Sequence, residues 1–213
     1  MTPSHCIGKF CRIKNIHPSH QEPEQMTPVS DENRWLDDIE EDEERRRTSL
    51  GMRDYKHPLE HDWTFWYFFH QQSKTWTESL QALVTVSTIE DFWSVINWVD
   101  SPSSIKVGAD FSLFKTGILP DWSDKANQKG GRYMVRCRKE EVDNMWTEVM
   151  MALIGQTFVD AEHDDHITGS TVSVRSKEDR IAVWVRNVGD RQLAETSVMT
   201  VLGRKGDFCI HKN

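Results

Sequence analysis

The segment EEVDNMWTEVMMALIGQTF, residues 140–158, leaves this chain few architectures. Trp146, Val149, Met150 and Leu153 recur at i, i+3, i+4 and i+7, so a helix here carries one apolar stripe, and Gly155 ends or bends it. A one-sided helix needs a second layer to cover it. The chain supplies that layer as strands. HDWTFWYFFH (61–70) is aromatic in the manner of a buried strand, and QALVTVS (81–87) alternates. DFSLFK (110–115) follows, then RYMVRCR (132–138), which alternates basic with apolar residues as a strand with one wet face should. GSTVSVR (169–175) and RIAVWVR (180–186) form a hairpin pattern across SKED, and DFCIH (207–211) closes the series. Two further helices are predicted. TIEDFWSVINWV (88–99) opens on a Thr88 cap with Glu90 and Asp91 in its first turn, and another spans roughly 190–203. The fold class is therefore α+β: an antiparallel sheet with helices stacked on one face and the other face open.

Residues 1–54 lack this order. They hold several prolines, the charge block DDIEEDEERRRTSL and almost no apolar period, so a disordered N-terminal tail (1–54) ahead of one domain (55–213) is expected. Arg46-Arg47-Thr48-Ser49 in that tail has the form of a basophilic kinase site. The tail carries twelve acids against eight bases and the remainder twenty-two against eighteen, so each part stands at −4 of the total −8. Neither part is a basic platform for long nucleic acid, and any nucleic-acid contact must be short and local. The four cysteines are scattered without zinc-finger spacing. Glu162, His163, Asp164, Asp165 and His166 resemble metal ligands in composition but read as one solvated turn, so neither a metal nor a cofactor is expected. No apolar run approaches the ~18 residues of a membrane span, and no signal-peptide core opens the chain, so a cytoplasmic protein without a membrane partner is expected.

Nine tryptophans in 213 residues are more than a core of this size readily absorbs with every indole N–H satisfied. Trp122 lies in LPDWSDKANQKGGR, a loop by its Pro120, its polar run and its Gly130–Gly131 pair, and Trp76 follows the polar run QQSK. Two loop indoles over an open sheet face can grip a flat ring, each worth about 1–3 kcal/mol by stacking, with a further ~0.5–2 kcal/mol if the ring is cationic. Arg175 and Lys177 end one hairpin strand, Arg180 begins the next, and Arg132 leads the strand after the Trp122 loop; so few cations in an acidic domain suit a short polyphosphate.

From about His57 to His211 the chain resembles the cap-binding translation initiation factor 4E family. The residues that carry the resemblance are HPLEHDWTFWYF, SKTW, TIEDFW, FSLFKTGILPDW, NQKGGR, MALIG and VSVRSKEDRIAVW, in order and with compatible spacing. The resemblance implies a curved antiparallel sheet with three helices on its convex back, and a concave slot for the 7-methylguanosine 5′ cap of messenger RNA. It assigns Trp76 and Trp122 to the stacking pair and Trp184 to the N7-methyl group. Arg132, Arg175, Arg180 and, more loosely, Lys177 fall near the phosphate bridge. On the convex back it places His57, Pro58, Leu59, Ile89, Trp93, Glu148, Met151 and Gly155 in a groove for a partner's amphipathic helix, either an initiation scaffold of the 4G type or a 4E-binding repressor. The implied molecule is a monomeric, non-enzymatic regulator of translation initiation.

Two departures qualify that picture. The family places a glutamate directly after the second stacking tryptophan, where it accepts hydrogen bonds from the guanine N1–H and 2-amino group; here that position is Ser123. Losing charge-assisted bonds of ~1.5–3 kcal/mol weakens cap affinity by about one to two decades, and Ser123→Glu is expected to restore it. Asp124 is near enough to swing in, although adjacent side chains usually point apart. Thr147 stands where the family usually has leucine, with less apolar area for a partner. RCRKEEVDNMW leans toward the 4E-homologous repressor subgroup, whereas Trp76 matches the mainstream factor. The family's C-terminal loop over the cap phosphates is not expected after His211. A repressor of that subgroup, and an interaction module with impaired cap binding, are therefore the alternative functions.

Overall fold

The computed structural model describes residues 56–158 and 164–211. Seven strands form one antiparallel sheet: β1 (Pro58–Phe69), β2 (Leu80–Thr88), β3 (Ala109–Lys115), β4 (Gly131–Cys137), β5 (Ile167–Ser173), β6 (Asp179–Val185) and β7 (Asp207–Ile210). Their spatial order is β2-β1-β3-β5-β6-β4-β7, and the sheet is curved. Three long helices, α2 (Ile89–Trp98), α3 (Val142–Ile154) and α4 (Arg191–Leu202), join a one-turn helix α1 (Trp76–Ser79). The expected strands and the three long helices are all present, with β1 beginning three residues earlier than the aromatic run alone indicates.

Alternation along each strand decides which residues face the helices. Trp63, Phe65 and Tyr67 of β1, Phe111 and Leu113 of β3, Tyr133, Val135 and Cys137 of β4, and Ile181, Val183 and Val185 of β6 are buried in one core. The helices complete it with Phe92, with the predicted stripe Trp146, Val149, Met150 and Leu153, and with Ala194 and Val198. Phe92 stacks on Phe65 at 6.1 Å. The residues of opposite parity, among them Phe68, Asp110, Ser112, Thr171, Arg132, Met134 and Trp184, line the open face. There Phe114, Ala182 and Trp184 form a small second apolar cluster with Trp66, Ile118 and Met134.

Trp76 departs from the expected loop. It is the first residue of α1, capped by a reciprocal box in which the Thr75 hydroxyl accepts from the Glu78 N–H at 3.3 Å and the Glu78 carboxylate accepts from the Thr75 N–H at 2.8 Å. The Thr75 N–H, and after it the Thr75 hydroxyl donating to the same carboxylate at 2.9 Å, hold the Glu78 carboxyl below its usual range. The N-terminal tail and the kinase-type sequence lie outside the described residues. Among the described residues no helix is long and apolar enough to cross a membrane, and no cluster of His, Cys, Asp or Glu could hold a metal ion. Of the metal-like loop, Glu162 and His163 lie outside the described residues, whereas His166 pairs with Asp190 at 2.7 Å.

Candidate functional site

A cavity of about 460 Å³ opens on the concave face, and Trp76, Trp122, Trp184, Arg132, Arg175 and Arg180 all line it. Trp76 and Trp122 are 39% and 54% exposed, so neither is sealed in the core. They arrive from different directions. The α1 turn after β1 delivers Trp76, whose ring lies 5.5 Å from that of Phe68 at an interplanar angle of 31°. The β3–β4 connection delivers Trp122.

That connection is held by internal hydrogen bonds. The Asp124 carboxylate accepts from the Leu119 N–H at 3.1 Å and the Ala126 N–H at 2.8 Å. The Asn127 amide, completely buried, donates to the carbonyls of Leu119 and Asp121, both at 2.9 Å, and accepts from the Thr168 hydroxyl at 2.8 Å. Gly130 then passes so close to β6 that a Cβ would sit 1.8 Å from the Val185 carbonyl oxygen. Sequence reasoning passed over Asn127, because nothing in a polar run distinguishes its one buried member.

Trp184, only 4% exposed, lies at the cavity floor with Phe114 edge-on at 5.4 Å. The Arg132 guanidinium stands 5.4 Å from its ring centroid and the His211 ring 4.5 Å away. His211 Nδ1 donates to the Asn127 carbonyl at 2.8 Å. Burial pushes this imidazole below its ordinary value, and the Arg132 charge acts in the same direction. His211 thus ties the last described residue to both the Trp122 loop and the floor; sequence reasoning did not find it either.

The cationic end is partly committed. Arg175 Nη1 pairs with Asp110 at 2.8 Å and donates to the Val174 carbonyl at 2.9 Å, which fixes its guanidinium beside the cavity. Asp179, fully buried at the β5–β6 turn, accepts from the Arg175 N–H at 2.8 Å and pairs with Lys139 at 2.5 Å. Arg180 is the second residue of β6 and is exposed. Lys177 is exposed at the turn but is not among the cavity-lining residues. Ser123 is also outside the lining: its hydroxyl donates to Asp121 Oδ2 at 2.6 Å and its N–H to Oδ1 at 3.1 Å. Asp124 does not swing in, because both of its oxygens hold loop backbone.

On the helical face, Ile89 and Trp93 of α2 and Met151 of α3 are 41%, 40% and 41% exposed. Trp93 is therefore not core, although its ring meets Phe92 edge-on at 5.5 Å. Glu148 and Gly155 are exposed on and just after α3, Pro58 is exposed at the start of β1, and Leu59 is half-buried against the core. His57 is exposed immediately before β1. The Thr147 hydroxyl donates back to the Asp143 carbonyl at 2.9 Å.

A family model described as eukaryotic initiation factor 4E matches residues 58–205. The chain is 39% identical over 143 residues to the eukaryotic translation initiation factor 4E1 of Drosophila melanogaster, covering 66% of this chain but 54% of that protein. To the eukaryotic translation initiation factor 4E of Xenopus laevis it is 38% identical, over 75% of this chain and 76% of that one. Its fold superposes on C. elegans eIF4E-3, solved with the 4E-binding protein Mextli and a cap analog, with a TM-score of 0.69 and 32% identity, over 74% of this chain and 94% of that one.

Proposed function

The chain belongs to the eukaryotic initiation factor 4E family, and we propose that it binds the 7-methylguanosine cap of messenger RNA and acts in translation initiation. Methylation at N7 leaves a delocalised positive charge on the purine. Two electron-rich indole faces attract that ring more strongly than they attract plain guanine. In this reading Trp76 and Trp122 stack on either side of the base and Trp184 meets the methyl group. Arg132, Arg175 and Arg180 face the phosphate bridge, and Lys177 adds charge from outside the cavity. Binding and positioning are the whole of the chemistry; no catalytic step is assigned. The observation that carries the reading is the convergence of two half-exposed tryptophans, from separate connections, on one cavity that also holds three arginines.

A second activity uses the opposite face. Ile89, Trp93 and Met151 are exposed apolar side chains on α2 and α3, and with Pro58, Leu59, Glu148 and Gly155 they provide a surface for an amphipathic helix of a scaffold or repressor protein. His57 belongs to the same proposed set by resemblance. The division into an N-terminal tail (1–54) and a cap-binding 4E-like domain (55–213) is part of the same proposal.

Retention on immobilised 7-methyl-GTP tests the reading. The protein should be retained, should elute with free 7-methyl-GTP and should not elute with the same concentration of GTP. Failure to be retained, or equal elution by both nucleotides, contradicts cap recognition.

A further inference from the structure

We infer that Asp121, the residue before the second stacking tryptophan, is the acid that reads the guanine edge of the ligand; this rests on the cap-binding reading and adds a specificity residue to it. Guanine presents two adjacent donors, N1–H and the 2-amino group, and a carboxylate is the side chain that accepts both while balancing the charge of a methylated ring. Three residues of the Trp122 loop could be considered for that task. Ser123 lies outside the cavity lining and its hydroxyl proton is directed at Asp121 Oδ2. Asp124 has both oxygens on backbone N–H groups and is also outside the lining. Asp121 does line the cavity.

The other carboxylate in the lining, Asp110, is ion-paired with Arg175 at 2.8 Å at the cationic end. Asp121 is held from both sides. Asn127 anchors its carbonyl at 2.9 Å, and Ser123 caps its carboxylate with an N–H at 3.1 Å and a hydroxyl at 2.6 Å. A carboxylate offers about four lone-pair sites; Ser123 takes two, which leaves one on each oxygen for a pair of guanine donors. Ser123 is then a positioning residue, and the side chain that would leave the family's acid unreplaced is the one that orients a substitute. Placing a second carboxylate at position 123 would set two negative groups side by side, so Ser123→Glu should gain far less than the one to two decades the sequence comparison implies.

The test uses tryptophan-fluorescence titration of the full chain with 7-methyl-GTP and with 7-methylinosine triphosphate, which lacks the 2-amino donor. The wild type should prefer 7-methyl-GTP by about ten-fold or more. Asp121→Asn, which keeps an acceptor for Ser123, and Asp121→Ala should weaken 7-methyl-GTP binding by about ten-fold and bring the two ligands to near-equal affinity. Ser123→Ala, which removes the hydroxyl bond to Oδ2 and keeps the N–H bond to Oδ1, should narrow the preference, but by less than the Asp121 variants do. Equal loss for both ligands in the Asp121 variants, or a preference that survives them, overturns this inference and leaves cap binding standing. A wild type that binds 7-methyl-GTP but does not discriminate between the ligands does the same. A wild type that does not bind 7-methyl-GTP overturns both.

Discussion

Asn127 commits every polar atom of its side chain to the Trp122 loop or its anchor on β5, at complete burial. Removing it by Asn127→Ala takes three hydrogen bonds from the loop and its anchor. The Leu119 and Asp121 carbonyls keep the N–H groups of Asp121 at 2.7 Å and Asp124 at 3.2 Å, and the Thr168 hydroxyl keeps the Trp184 carbonyl at 3.5 Å. Each lost bond therefore costs about 0.5–1.5 kcal/mol. The expected outcome is a lower denaturation midpoint together with weaker 7-methyl-GTP binding, since the loop that carries both Trp122 and Asp121 loses its fixed shape. Unchanged affinity in a folded Asn127→Ala protein would show that the loop does not need this anchor. At the same scale, Trp76 and Trp122 were legible in the sequence because a tryptophan in a polar run is conspicuous, whereas Trp184, buried on β6, was singled out only through the family resemblance. Asn127, His211 and Asp121 were not: His211 meets Asn127 and Trp184, and Asn127 meets Thr168, only through the tertiary fold, and the bonds of Asp121 to the nearby Ser123 and Asn127 depend on a loop shape that no periodicity marks.

The elements were easier to read than the joints between them. Six of the seven strands run seven to twelve residues and α3 thirteen, long enough for their periods to leave little ambiguity about strand or helix. α1 has only four residues and no period, but Thr75 and Glu78 stand at the T-x-x-E spacing of a capping box, a signal sufficient to identify a helix start. Thr75→Ala should cost about 0.5–2 kcal/mol of local stability and weaken 7-methyl-GTP binding with it, measured by the same titration. The N-terminus of α3 offers a test by acid. Arg138 and then Arg204 hold the Glu141 carboxyl down to about 2, from an ordinary value of 4.5. A depressed carboxylate contributes stability that is present above the unfolded value and is lost as the pH falls from there toward the folded one. Denaturation midpoints should therefore drop between about pH 5 and pH 2, and Glu141→Gln should flatten that part of the profile while lowering stability at neutral pH. His211 has the same sign at milder pH. Burial depresses its imidazole below the ordinary 6.5, so the stability it contributes is lost as the pH falls below that value and the buried ring has to take up charge.

Across the whole molecule, the two proposed binding surfaces lie on opposite sides of the sheet and the helices packed against it. Residues of one strand parity, with the helices, make the core and the α2–α3 surface, and residues of the other parity make the cavity. Trp93→Ala is accordingly expected to abolish capture of a 4E-binding helix while leaving 7-methyl-GTP affinity unchanged, as read by pull-down and titration in parallel. The chain as a whole is acidic at −8, and Arg132, Arg175 and Arg180 line the cavity. Added salt should thus weaken 7-methyl-GTP, whose phosphates meet those arginines, much more than 7-methylguanosine, whose ring is gripped by stacking. The most direct measurement is quenching of tryptophan fluorescence by 7-methyl-GTP in the wild type, Trp76→Ala and Trp122→Ala. Saturable quenching in the wild type, with affinity falling by about ten-fold or more in each variant, is the predicted result. A wild type whose fluorescence does not respond, or variants that bind as tightly as it does, would contradict the two-indole clamp.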